Sequence, residues 1–220
     1  ACAPFRRLHL CHHNLEKMET TKIKDKNVLL AEVCMAAKFE GETLTTQHGE
    51  HQLTNKDSPS QLCTVLARSF ADIGDIVRGK DPFYGNTYES AQREKLESKL
   101  KEIFAKIYEG LTTTNGRNGK ALKTRYQNDG DNYYKLREDW WTANRHTVWK
   151  AITCEVGSGT YFRATCDSGD GKSQSQARNQ CRCDDKTSGA KAVKANDNVN
   201  VVPTYFDYVP QFLRWFEEWA

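Results

Sequence analysis

Four cations cluster in the segment G-R-N-G-K-A-L-K-T-R-Y at 116–126, namely Arg117, Lys120, Lys123 and Arg125, with no acid between Glu109 and Asp129. The glycines let such a segment adapt to a ligand, and a guanidinium grips a sulfate with two parallel N–H donors. The chemistry on offer is recognition of a sulfated or sialylated chain. Each exposed contact is weak and screened by salt, so useful binding needs many copies on one surface. The plain alternative is a solvated loop whose charges keep the chain soluble. Two further basic sets are Arg6 and Arg7 with His9, His12 and His13, and Lys172, Arg178, Arg182 and Lys186 in a Gly/Ser-rich stretch. Loop placement suits the latter to recognition and to variable decoration alike.

Enzyme signatures fail. Gly171-Lys172-Ser173 echoes a phosphate loop, but Cys166 stands where its first glycine belongs and no apolar strand precedes it. Gly157-Ser158-Gly159 lacks the third glycine of a dinucleotide fingerprint, and no paired carboxylates or Ser/His/Asp set stands out. Cys11-His12-His13 is the one dense metal-like cluster. The reading is therefore non-enzymatic, with no catalytic residue, cofactor or metal.

Eight cysteines, Cys2, Cys11, Cys34, Cys63, Cys154, Cys166, Cys181 and Cys183, are spread irregularly through 220 residues, with no C-x-x-C pair. That pattern reads as disulfides in an oxidising, extracellular-facing compartment rather than as a zinc site. Covalent restraint also suits a chain only 38% hydrophobic and 28% charged. A net charge of +3 is too small to imply nucleic-acid binding by itself. No apolar run reaches the length of a membrane span and no signal-peptide core opens the chain.

The elements that must position these residues are mostly helices. A short one is expected from Asn27 to about Glu40, stopped by Gly41, with polar loop over 41–57. Ser58-Pro59 then opens a second, striped by Leu62, Leu66, Phe70, Ile73 and Val77 and ended by Gly79. Ser90 caps a third, in which Leu96, Leu100, Ile103 and Ile107 recur before Gly110. A Gly/Thr/Asn-rich loop spans 111–130. The fourth helix, about Asp131 to Cys154, carries Trp140, Trp141, Val148, Trp149 and Ile152, so its tryptophans are expected in the core rather than as sugar platforms.

Residues 155–202 form a long polar excursion pinned by Cys166, Cys181 and Cys183, with Val199 to Val202 as the one short strand candidate. Cys63 and Cys154 lie on helices expected to share the core, so a Cys63–Cys154 bridge is favoured; other pairings stay open. Pro210 opens a last helix whose Phe212, Trp215, Phe216 and Trp219 must bury against something, with Glu217 and Glu218 left for water. Ending there without cap or polar tail, the chain is expected to be a piece of a longer polypeptide.

Several blocks together resemble the Duffy-binding-like domains, alpha type, of the variant erythrocyte membrane protein family of Plasmodium falciparum. They are C-A-P-F-R-R-L-H-L-C at 2–11, F-A-D-I-G-D-I-V-R-G-K-D at 70–81, R-E-D-W-W-T-A-N-R-H-T-V-W-K-A-I-T-C at 137–154, and 202–220. The resemblance spans essentially the whole chain, with 41–57, 111–130 and 155–200 falling where that family varies most. It implies a mainly α, disulfide-stapled helical bundle with long irregular loops: a loop-rich first subdomain with one short helix over 1–57, a helical second over 58–220 with an insertion at about 155–202, and the third absent. It also implies display on the outer face of the infected erythrocyte membrane, adjacent domains in the same polypeptide, and rosetting. Expected partners are erythrocyte or endothelial receptors and glycans of heparan sulfate or blood-group type. Arg6 and Arg7 lie inside one of the blocks, so a role tying subdomains together is as open to them as ligand contact. The alternative function is a structural, antigenically variable spacer whose neighbours carry the receptor sites.

Overall fold

Helix dominates, as the apolar periodicity requires, but several helices are longer than the sequence suggests. The computed structural model describes residues 2–22, 25–55, 62–83, 85–113, 117–157, 159–167, 173–177, 179–183 and 201–220. In chain order these form α1 (Phe5–Leu8), α2 (His13–Lys17), α3 (Lys26–Thr54), α4 (Leu62–Arg78), α5 (Thr87–Thr112), α6 (Arg117–Tyr126) and α7 (Tyr134–Ile152). An antiparallel ribbon of β1 (Ala164–Asp167) and β2 (Gln174–Gln176), a 3₁₀ turn at Phe206–Tyr208 and α8 (Gln211–Trp219) complete the order.

The core forms where α4 meets α7. Phe70 packs on Trp141 at 5.1 Å and edge-on against Trp149 at 5.2 Å, and Phe104 of α5 meets Trp140 edge-on at 6.2 Å. All three tryptophans of α7 are buried, as expected. Gly74 makes room: a Cβ there would fall 2.7 Å from the Trp141 ring. One hydrophobic cluster runs from Leu10 through α3, α4, α5 and α7 to Val202, continuous across the 57/58 boundary drawn from sequence.

Gly41 does not stop α3. The Asp25 carboxylate caps the helix, accepting from the N–H groups of Asn27 (2.7 Å) and Val28 (3.2 Å), and 29 residues follow, through much of the expected loop. Gly41 faces α7, where a Cβ would overlap the Ile152 carbonyl. Glycine is there for close approach, and α3 pays only a modest helical cost for it. The Ser58-Pro59 start signal lies outside the described residues. In α5 the cap is Asn86 rather than Ser90. Its side chain accepts from the Glu89 N–H (3.0 Å) and Glu89 reaches back to the Asn86 N–H (2.7 Å). Gly110 lies within α5, which runs on to Thr112. Of the strand expected at the end of the excursion, Val201 and Val202 are buried but irregular, and the residues before them lie outside the described residues.

The favoured Cys63–Cys154 bridge is not formed. Cys63 pairs with Cys181, and Cys166 with Cys183. Trp149 explains the choice, because its indole N–H donates to the Cys181 carbonyl (3.0 Å) and holds that loop over α4. Gly159 completes the fit, since a Cβ there would lie 2.9 Å from both sulfurs of the bridge. Cys154 lies past the end of α7, exposed. Cys2, Cys11 and Cys34, also expected in bridges, are free thiols with it. Burial pushes the Cys34 thiol up to about 11.

The last helix docks by a different face from the one anticipated, and of the four aromatic residues expected in the core Trp215 alone is buried. Pro210 is its N-cap, and the buried residues are Gln211, Arg214 and Trp215. Phe212, Phe216 and Trp219 are 56%, 68% and 56% exposed, so they are not core. Ion pairs decide the orientation. Arg214 donates to Asp72 Oδ1 and Asp75 Oδ2 of α4 at 2.6 Å each, and Gln211 donates to Asp72 Oδ1 at 3.0 Å.

Candidate functional site

Much of the cationic segment is helix α6, and helical geometry divides its charges. Arg117 opens the helix; at about 100° per residue, Lys120 and Lys123 are neighbours on one side, while Arg125 falls on the far side from Lys123. Arg125 grips Asp139 of α7 in a fork, Nε to Oδ2 and NH2 to Oδ1, both at 2.7 Å. Tyr126 donates its hydroxyl to the same carboxylate (2.8 Å), and Lys135 Nζ donates to the Arg125 carbonyl (3.0 Å). Hydrogen bonds from Arg125 hold the Asp139 carboxyl below the usual carboxylate range, and Asp139 raises the guanidinium in return. Arg125 therefore fastens α6 to α7. Lys120 and Lys123 are exposed and make no ion pair among the described residues.

Arg6 and Arg7 are turned inward. Arg6 reaches Asp72 (2.8 Å), Glu218 (2.8 and 3.0 Å) and Ser69 (3.1 Å), and Arg7 pairs with Asp81 while its guanidinium lies 4.9 Å from the Phe83 ring centre. Glu218, expected in water, thus closes the N-terminal segment onto α8, and Glu217 meets Arg68 at 2.8 Å. His9 and His13 are exposed; His12 is largely buried, and burial together with Arg7 lowers its pKa. Arg182 donates to the Thr153 hydroxyl (2.7 Å) and the Lys150 carbonyl (2.9 Å) at the end of α7. Lys172, Arg178 and Lys186 lie outside the described residues.

Sequence reasoning missed a buried charge network around α4. Asp72, Asp75 and Arg78 recur every third residue opposite the apolar stripe, a pattern that reads as a solvent face. All three are buried. Arg78 donates to Asp75 (2.8 Å), Glu138 (3.1 Å) and the Asp207 carbonyl. Asp207 is gripped by Arg145 at 2.7 and 2.8 Å and by the Trp141 indole N–H at 3.0 Å. Arg137 closes the C-terminus of α4, donating to the carbonyls of Val77 (2.7 Å) and Ile76 (3.2 Å) and pairing with Glu97. With Arg6 and Arg214 on Asp72, all four of the blocks carrying the family resemblance meet in this network.

Two neighbouring acids of the network titrate oppositely. Asp72 is held down by Arg6 and Arg214 against its burial, whereas burial pushes Asp75 up to about 6 against the same kind of partners, with Asp72 adding to the rise. The folded chain then protonates Asp75 at about 6 and the unfolded chain near 3.8. Stability from the protonated group is present below the unfolded value and lost as pH rises through the folded one. His12, His48 and His146, with lowered pKa values, pull the other way in the overlapping range below 6.5. The expected result is therefore a difference: the thermal midpoint of the wild type, minus that of Asp75→Asn, rises as pH falls from about 7 to about 5. A difference that is flat with pH would remove this assignment.

The Duffy binding domain family matches residues 1–214. Among solved structures, the NTS-DBL1(alpha-1) domain of Plasmodium falciparum membrane protein 1 (PfEMP1) from the varO strain is 38% identical with a TM-score of 0.70, and is matched over 100% of this chain and 43% of its own. The NTS-DBL1-alpha and CIDR-gamma double domain of the same strain is 40% identical with a TM-score of 0.74, over 100% and 27%. A PfEMP1 DBLbeta domain bound to ICAM-1 is 29% identical with a TM-score of 0.61, over 100% and 44%. No curated protein matches. The chain thus spans less than half the length of these solved relatives. Among the described residues no group of three or more His, Cys, Asp or Glu could hold a metal, and no helix is long and apolar enough to cross a membrane. Family match, helical architecture and full-length coverage agree: this chain belongs to the Duffy binding domain family.

Proposed function

We propose that the chain is a non-enzymatic adhesion module that binds host receptors from the outer face of an infected erythrocyte, reading sulfated or sialylated glycans through α6. Receptor binding is supported by relatives described as ICAM-1-binding or ICAM-1-bound. One observation carries the glycan reading. α6 presents Lys120 and Lys123 to solvent without ion pairs among the described residues, while Arg125, bound to Asp139, holds the helix in place. A polyanion gains from exposed cations that lose no internal partner, and such contacts are screened by salt.

Lys120→Ala/Lys123→Ala is expected to weaken heparin binding by about ten-fold at low salt and to flatten its salt dependence. Arg125→Ala weakens binding by loosening α6, with a lowered melting temperature that the lysine variant does not share. Surface plasmon resonance on immobilised heparin over a salt series measures both. Unchanged binding after loss of both lysines removes the α6 site and leaves the family assignment standing.

The structural-spacer reading has its own support: Arg6, Arg7, Arg125 and Arg182 are all spent on internal contacts. A glycan array and red-cell binding by the oxidised 220-residue chain separate the two, since a spacer binds neither.

A further inference from the structure

α5 carries two charged side chains that the fold does not use. Neither the Glu94 carboxylate nor the Lys101 ammonium has a partner among the described residues. Both line a cavity of about 460 Å³ between the segment joining α1 and α2, the end of α4, and α5. The other charges of that cavity are matched inside the protein. Asp81 takes Arg7 and Arg93 together, the latter at 3.0 Å, and Glu97 is held by Arg137 at 2.7 and 2.9 Å. Burial and Arg7 lower the pKa of His12, so its ring adds no charge near neutral pH. Arg7, Arg93 and Lys101 thus stand against Asp81, Glu94 and Glu97, three charges of each sign. A ligand with a net charge gains from one set what it loses to the other.

Unlike charges at the two ends of a net-neutral cleft suit a molecule built in the same way. Glu94 and Lys101 are seven residues apart on one face of α5, about 10 Å along its axis. An extended peptide advances about 3.5 Å per residue, and a charge-assisted hydrogen bond adds about 2.8 Å at either end. One residue with free termini therefore reaches about 9 Å and two reach about 13 Å, which brackets the gap. The flexible stem of Lys101 takes up the difference. The Tyr134 ring, 47% exposed among the lining residues, gives an apolar side chain a surface to pack on. We propose that this cavity binds an amino acid or dipeptide with both termini free, its ammonium on Glu94 and its carboxylate on Lys101, as a site separate from α6.

NMR titration of the folded chain with leucine and alanyl-leucine tests this. Both are expected to bind. N-acetyl-leucine, which lacks the ammonium, and leucinamide, which lacks the carboxylate, should each bind about five-fold more weakly than leucine. Substitutions then shift this preference in opposite directions. In Glu94→Gln the N-acetyl form binds as well as leucine, and in Lys101→Met leucinamide does. Glu94→Lys/Lys101→Glu keeps its affinity for leucine, because so short a molecule can bind turned end for end. Glu94 and Lys101 give up no internal contact, so these variants should melt as the wild type does; should one fail to fold, the blocked ligands on the wild type still decide. Absence of binding by both free-ended ligands, equal binding of the blocked forms, or binding indifferent to Glu94 and Lys101 would each overturn the proposal. Tighter binding of phosphoethanolamine at these residues would overturn it too, in favour of a lipid headgroup. None of these outcomes bears on heparin binding at α6.

Discussion

Cys63→Ser/Cys181→Ser is expected to lose about 4 to 5 kcal/mol of folding stability, against about 3 kcal/mol for Cys166→Ser/Cys183→Ser. The two bridges span 118 and 17 residues of sequence, and closing the longer loop removes more conformational freedom from the unfolded chain. The longer bridge also keeps the Cys181 loop over α4, where Trp149 donates to its carbonyl. Cys154→Ser should change little, because that thiol is exposed and unbridged. Equilibrium urea unfolding of the oxidised proteins measures all three. A Cys154 variant as damaging as the Cys63/Cys181 one would restore the pairing first expected and refute the one described here.

Asp207→Ala should cost about 3 to 5 kcal/mol, the range for stranding a buried charge by removing its partner. Asp207 is 1% exposed and answers three donors at once: Arg145 Nε and NH2, and the Trp141 indole. Removing the carboxylate leaves a guanidinium in the interior without a counter-ion and an indole N–H without an acceptor. The double variant Asp207→Ala/Arg145→Met should recover part of the loss, since an apolar side chain tolerates that site where an unpaired cation does not. Urea midpoints followed by tryptophan fluorescence test the pair. If the double variant is less stable than Asp207→Ala alone, Asp207 is not acting as counter-ion to Arg145.

The sequence revealed elements better than partners. The stripe Leu62, Leu66, Phe70, Ile73 and Val77 located α4, and the tryptophans of α7 were rightly placed in the core, because both rest on local periodicity. Gly41 was misread because a glycine that ends a helix and one that admits a neighbouring backbone look alike until the neighbour is known. Charged positions were the least legible. Asp72, Asp75 and Arg78 share a spacing that fits a wet helix face, and only Arg6, Arg214 and Glu138, distant in sequence, reveal them as buried. The same blindness put Phe212, Phe216 and Trp219 inside and Glu218 outside. In the candidate site, the run of cations was visible in the chain, whereas the acid that claims Arg125 comes from Asp139, beyond a turn.

The contacts between Arg6 and Glu218, and between the Trp219 indole and the Cys2 carbonyl at 2.9 Å, bring the first and last stretches of the chain to one corner. Tension applied between those ends would peel this clasp open a few bonds at a time instead of shearing the bundle along its length. Beneath it, the Cys63–Cys181 staple forbids the intervening stretch from paying out. Under such tension this corner would yield first, while the disulfide-bound helices behind it stay folded.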